Sequence, residues 1–155
     1  MKKRGFFAYG SNPISCGECI EEAIQKINSG DTVEIRSWKD LKVSGKYIIS
    51  DILNQIDKCD FFCADITGVN DNVLFELGYA ITKRKPLFLI HDISHLEAYR
   101  RYKELALLET IGQSRYSNTD DIVNCFYKEQ PYNSQSKLLW NTLIETLETE
   151  HPYSF

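Results

Sequence analysis

Residues 59–90, CDFFCADITGVNDNVLFELGYAITKRKPLFLI, constrain the fold more than any other part of this chain. The stretch opens on DFFCAD, a short apolar run rich in strand formers, and closes on PLFLI, a second one. Between them TGVNDN supplies a Gly/Asn/Asp turn, and NVLFELGYAITKRK has helical spacing. Strand, turn, helix and strand in this order form the right-handed crossover unit of a parallel sheet. Within the helix Val73, Leu74, Leu77, Gly78 and Ile81 share one face, which is expected to pack on the sheet, with Gly78 allowing a close approach. Glu76 interrupts the apolar residues. At ~100° per residue it lies on the flank of that face, one turn beyond Asn72 and near the helix N-terminus. This places a carboxylate above the carboxyl end of the strand that finishes at Asp65, where open α/β sheets bind their ligands.

The rest of the chain continues the alternation. Residues 4–9 read as a strand, with Gly10-Ser11-Asn12-Pro13 as a turn at its carboxyl end. Residues 16–28 have helical spacing through Ile20, Ala23, Ile24 and Ile27, and residues 32–38, rich in β-branched side chains, read as a second strand. A polar loop over 39–45 leads to a helix over 46–58 with Ile48, Ile49, Ile52, Leu53 and Ile56 inward. Beyond the central unit the pattern gives a helix over 94–108 and a strand within 110–116. Ser117-Asn118-Thr119-Asp120 caps a helix over 121–128, and an amphipathic helix over 137–149 ends the chain. This is an α/β fold, a three-layer αβα arrangement around a doubly wound five-stranded parallel sheet. Strands one and three are the most apolar and hence the most central, which selects the flavodoxin-like order 2-1-3-4-5 with its switch point between them. Tyr9-Gly10-Ser11 and residues 65–76 then meet at one crevice. Residues 1–130 form the α/β domain, and 131–155 a C-terminal helical extension packed on it.

With 155 residues the chain is expected to be one domain with a full core. No apolar run approaches the ~20 residues that span a bilayer. The opening MKKRGFFAYG has basic residues before apolar ones, yet the apolar part is too short for a signal peptide and the turn at 10–13 breaks it. The chain is therefore expected in the cytoplasm, without a membrane partner. A net charge of −4 weighs against nucleic acid as a partner. Five cysteines, an odd number, fit reduced thiols.

Each candidate residue has a plain reading beside the functional one. A helix glutamate is ordinarily solvated, but Glu76 sits in VLFELGYA among apolar neighbours, which favours a site. Asp65 either caps the following turn through Thr67 or Gly68, or holds a ribose hydroxyl or the catalytic carboxylate; both readings stay open. Asn70 and Asn72 are helix caps, and Asn72 is also within reach of a ligand. Ser11, after Gly10, resembles a minimal phosphate- or ribose-contacting turn, without GxGxxG or a Walker lysine. Trp38, in the polar WKDLKVSG, is a core lid or a stacking platform for a base, and the polar surroundings favour stacking. Cys16-Gly17-Glu18-Cys19 has the thioredoxin spacing, where a helix N-terminus would lower a thiol pKa. No Trp precedes this pair and no second CxxC completes a zinc site. His91, His95 and His151 lack metal-ligand spacing, and no metal is expected.

FFAYGS, W-x6-G followed by IISDILNQIDKCDFFCADIT, NDNVLFELGYA and KPLFLI together resemble the bacterial TIR-like domains. These belong to a wider group that includes the nucleoside 2-deoxyribosyltransferases, and the resemblance covers about residues 4–90. It implies a flavodoxin-like fold that binds a nucleotide and cleaves an N-glycosidic bond. The group's catalytic glutamate falls on Glu76, its first-strand loop on Tyr9, Gly10 and Ser11, and its loop after the second strand on residues 38–45. GVNDNV replaces the small-residue turn of the transferases, which favours the TIR-like branch. That branch implies NAD as substrate rather than cofactor, with NAD glycohydrolase or ADP-ribose cyclase activity. It further implies activation by assembly into a homo-oligomer or filament, a partner sensor protein or domain, and a role in bacterial antiviral defence. The alternatives are a base-exchanging N-glycosidase and a non-catalytic nucleotide-binding or interaction module.

Overall fold

Strand and helix alternate from β1 to β4, and a strand and a helix follow: β1 (Lys3–Ala8), α1 (Ile14–Asn28), β2 (Val33–Ser37), α2 (Ile48–Lys58), β3 (Phe61–Asp65), α3 (Asp71–Thr82), β4 (Leu87–Asp92), β5 (Ser114–Tyr116) and α4 (Thr119–Glu129). The computed structural model describes residues 1–41, 48–92, 94–95, 111–133, 135 and 145. The expected helices over 94–108 and 137–149, and most of the extension over 131–155, lie outside these residues. The five strands are parallel and stand in the order β2-β1-β3-β4-β5, as the apolar character of β1 and β3 leads one to expect.

Alternation along the strands divides the interior into two cores. Phe62, Ala64 and Ile66 point to one side of the sheet and pack with Ile52 and Ile56 of α2 and Val73 and Leu77 of α3. Phe61 and Cys63 point to the other side and join Ile20 and Ile24 of α1 and Ile122 and Phe126 of α4. Phe126 anchors that second layer, with ring centroids 5.7 Å from Phe61 and 5.5 Å from Phe88. Each such fully buried ring stabilises the fold by roughly 1.5–3 kcal/mol. Gly5 makes room for it, since a Cβ there would stand 2.4 Å from the Phe61 ring.

The helix ends are fixed by side chains. Asn28 closes α1 and pairs with the backbone of Ile35 in both directions: its amide donates to the carbonyl at 2.8 Å, and the Ile35 N–H donates to its Oδ1 at 2.7 Å. Asn118 accepts from the Asp121 N–H at 2.9 Å and starts α4 where the capping sequence indicates.

Two packing expectations are corrected. Ile48 and Ile49 are 47% and 50% exposed rather than inward, because this first turn of α2 lines an open cleft; Ile52 and Ile56 carry the buried face. Gly78 is exposed, and among the described residues nothing lies within 4 Å of a Cβ placed on it. Val73, Leu74, Leu77 and Ile81 pack on the core as expected, and Ala80 joins them where Gly78 does not.

Candidate active site

Four chain segments surround a cleft of about 390 Å³ at the carboxyl edge of the sheet: Tyr9 to Ser11 after β1, Trp38 after β2, the start of α2, and the start of α3. A cavity of this size falls within the range of ~300–1,000 Å³ usual for small-molecule sites. The cleft adjoins the place where strand order reverses between β1 and β3. Glu76, Asn72, Tyr9, Gly10, Ser11 and Trp38 all line it, so six of the seven residues singled out from the sequence come together.

Asp65 is the exception. Successive β3 side chains alternate between the faces, and Asp65 follows Phe61 and Cys63 to the α1/α4 side, away from Glu76. It is 4% exposed, and its Oδ1 accepts from the Thr67 N–H at 3.0 Å and the Thr67 hydroxyl at 2.6 Å. Burial raises its carboxyl to about 6, opposed by the bonds from Thr67. The geometry is that of the turn cap.

The loop between β3 and α3 aims the start of α3 at the cleft. Gly68 (φ +74°) and Val69 (φ +47°) both take left-handed backbone. For a β-branched residue this costs on the order of 1–3 kcal/mol, and burial of the Val69 side chain (1% exposed) holds it there. Asn70 then caps the helix, accepting from the Asn72 N–H at 2.9 Å and the Val73 N–H at 3.3 Å. Gly10 lies against this cap: an added Cβ would stand 3.3 Å from Asn70 Nδ2. The β1 loop and the N-terminus of α3 are thus in contact.

Glu76 lies in the second turn of α3, partly buried, between the apolar walls formed by α2 and Phe75. Burial alone pushes its carboxyl from 4.5 up to about 7. It is the one carboxylate among the described residues that line the cleft.

The opposite wall is aromatic. Tyr9 and Trp38 pack with ring centroids 6.0 Å apart, and Lys39 Nζ lies 5.9 Å from the Tyr9 ring and 5.7 Å from the Trp38 ring. Trp38 is 39% exposed and lines the cleft. Glu21 fixes this wall from behind, its Oε1 accepting from the Tyr9 hydroxyl and, at 3.1 Å, from the Ser37 hydroxyl. The Ser37 N–H in turn donates to Asp40 at 2.8 Å, closing the short turn that carries Trp38. Burial, and next the bond to Glu21, hold the Tyr9 phenol well above its ordinary pKa. No sequence signal distinguishes Glu21 from its exposed neighbours on α1. Ile48, Ile49 and Phe75, also part of the lining, were legible as apolar but not as cleft walls.

The thioredoxin reading does not survive. α1 begins at Ile14, so Cys16 lies within the helix, 3% exposed, and burial pushes its thiol up to about 11 rather than down. All five cysteines are free. Among the described residues no helix is long and apolar enough to cross a membrane.

No family model matches the chain, and no curated protein matches it in sequence. Solved structures do. The CMP N-glycosidase BcmB of Clostridium botulinum is 17% identical, with TM-score 0.54 over 81% of this chain and 99% of its own. The TIR domains of the activated Roq1 resistosome that recognises the pathogen effector XopQ are 12% identical, with TM-score 0.52 over 96% of this chain and 84% of theirs. A 2-desoxiribosyltransferase from Leishmania mexicana is 23% identical, with TM-score 0.49 over 57% of this chain and 64% of its own, so the chain spans less than two thirds of that enzyme. At these identities the likeness is one of fold. The fold is that of the group holding TIR domains and N-glycosidases, as the sequence resemblance implied.

Proposed function

We propose that the chain is an N-glycosidase that cleaves the ribosyl–nicotinamide bond of NAD in this cleft, with Glu76 as its catalytic carboxylate. The observation that carries this reading is the single carboxylate in the described lining. Glycosidases whose leaving group must be protonated use two carboxyl groups, an acid and a base or nucleophile. Nicotinamide is cationic in NAD. When its bond to the ribose breaks, the electron pair passes to the ring nitrogen and a neutral base departs without a proton. What remains is an oxocarbenium-like ribosyl group, which one carboxylate stabilises electrostatically or traps until water attacks. Water then supplies the new hydroxyl and releases a proton, leaving ADP-ribose; attack by the adenine instead gives a cyclised product.

The other groups of the cleft suit such a substrate. Trp38 offers a ring face for a base, while Ser11 and Asn72 offer hydrogen bonds to ribose or phosphate. A carboxyl that titrates at about 7 is half ionised at neutral pH. The cationic nicotinamide of a bound substrate shifts it toward the charged form, so that the substrate helps to ionise its own catalyst.

The same pKa supports a second reading, base exchange on a nucleoside, in which protonated Glu76 donates to an uncharged leaving base. Product identity separates the two. Chromatography of the chain with NAD at high protein concentration should give nicotinamide with ADP-ribose or its cyclic form. A new nucleoside, formed from a deoxynucleoside and an added base, would indicate the transferase. Turnover of neither would leave a nucleotide-binding or interaction module.

Activation by assembly, into a homo-oligomer or filament and under a partner sensor, belongs to the same proposal, as does a role in antiviral defence. Its support is the TIR domains of the resistosome, which share the fold, and the exposed Ile48, Ile49 and Phe75 at the cleft mouth, a surface suited to a neighbouring copy.

A further inference from the structure

Across the sheet from Glu76, on the α1/α4 side, a second set of polar side chains converges at the same carboxyl edge. The pleat that turns Asp65 of β3 toward this layer does the same for Asp92 of β4, which follows Phe88 and Ile90. Asp92 is 8% exposed and firmly held. Its N–H donates to Thr67 Oγ1 at 2.8 Å, and its Oδ1 accepts from the Ser94 N–H at 2.9 Å. The remaining oxygen, Oδ2, faces Cys16 Sγ at 3.8 Å and His95 Nε2 at 3.6 Å. One donor atom from each of the three residues lies within 4.8 Å of the others. Beside them, from β5, stands the Tyr116 side chain, 3% exposed. Its hydroxyl stands close enough to Cys16, Asp65 and Thr67 to interact with each, without reaching full hydrogen-bond geometry to any of them.

We infer that Cys16, Asp92 and His95 bind one divalent transition cation of the zinc type, with the Tyr116 hydroxyl or a water as the fourth ligand. Thiolate, imidazole nitrogen and carboxylate oxygen are the donor set zinc takes. Bonds of ~2.0–2.3 Å in a tetrahedron set neighbouring ligand atoms roughly 3.3–3.8 Å apart, so two of the three edges need almost no adjustment. Binding releases the proton of the Cys16 thiol, and the cation then neutralises the two negative charges of thiolate and carboxylate in this buried corner. A nucleophilic Cys–His–Asp triad fits less well, because the imidazole would have to stand between sulfur and carboxylate, whereas here Asp92 Oδ2 occupies the middle. Cys16 comes from α1, while Asp92 and His95 stand three residues apart at the end of β4 and just beyond it. The cation would clamp the start of α1 to the end of β4, on the face opposite the cleft and without contact with Glu76.

Cobalt titration of the metal-stripped, reduced chain tests this directly. The wild type should develop a thiolate-to-cobalt charge-transfer band with the intense visible bands of four-coordinate cobalt. Both should saturate at one equivalent and disappear on adding zinc, and zinc should raise the melting temperature. Cys19→Ser should behave as wild type. Cys16→Ser should lose the charge-transfer band, and His95→Gln should weaken zinc binding at least ~10-fold. Because Cys16 is buried and its variant can fail to fold, the partly exposed His95 supplies the independent arm. Absence of a charge-transfer band in the wild type, or zinc affinity unchanged in His95→Gln, overturns the inference.

Discussion

Replacing Glu76 by glutamine probes the electrostatics of the cleft without any substrate. An unburied glutamate titrates near 4.5, whereas in the folded chain burial moves Glu76 to about 7. Between those values the folded state binds more protons than the unfolded state. The group therefore costs nothing below about pH 4.5; its penalty grows as pH rises through that interval and is complete above about 7. The difference of roughly 2.5 in pKa, at ~1.4 kcal/mol each, bounds the penalty at ~3.5 kcal/mol. Because the side chain opens on the cleft, solvent screening lowers this to roughly 1–2 kcal/mol. Glutamine keeps the shape and removes the charge. In urea melts Glu76→Gln should match the wild type near pH 4 and exceed it by roughly 1–2 kcal/mol near pH 8, about 3–6 °C in Tm for a chain of this size. Equal stability near pH 8, or a less stable variant, would refute the reasoning, because it would mean that the carboxylate is not desolvated in the fold.

The same titration has a kinetic signature. If NAD cleavage uses ionised Glu76, kcat/KM rises with pH through about 7 and then levels, whereas proton donation to an uncharged base would give a rate that falls over that range. Trp38→Ala removes the stacking face; at ~1–3 kcal/mol for a stacked base, substrate affinity measured by calorimetry should fall about 5- to 150-fold, and an unchanged affinity would remove Trp38 from the site. Gly5→Ala drives a methyl to within 2.4 Å of the Phe61 ring, which is fully buried. Urea melts should show a loss of roughly 1–3 kcal/mol, and no loss would mean that the ring has room to turn.

The fold was legible because its signals are local and repeated. Apolar runs at 61–65 and 87–92, with a turn and an amphipathic helix between them, leave few arrangements other than a parallel crossover. The site was legible to the extent that topology alone brings the β1 loop and the α3 N-terminus together. Asp65 shows where this stops. In a strand buried on both faces, with all five residues inside, burial carries no parity signal, and only the alternation counted from Phe62 and Ala64 tells which way Asp65 points. Ile48 and Ile49 show a second limit. Apolar spacing marks a helix face, but not whether that face meets the sheet or lines an open cleft. Glu21 shows a third, since its role arises from the tertiary meeting of α1 with the ends of β1 and β2. The meeting of Cys16 with Asp92 and His95 is likewise invisible to any spacing rule.

The most direct test of the central claim is loss of NAD, followed by chromatography with product identification, for the wild type and Glu76→Gln at the same high protein concentration. Loss of NAD with release of nicotinamide in the wild type alone is the expected result. Equal loss in both would show that Glu76 is not the catalytic carboxylate, and loss in neither would contradict NAD cleavage itself.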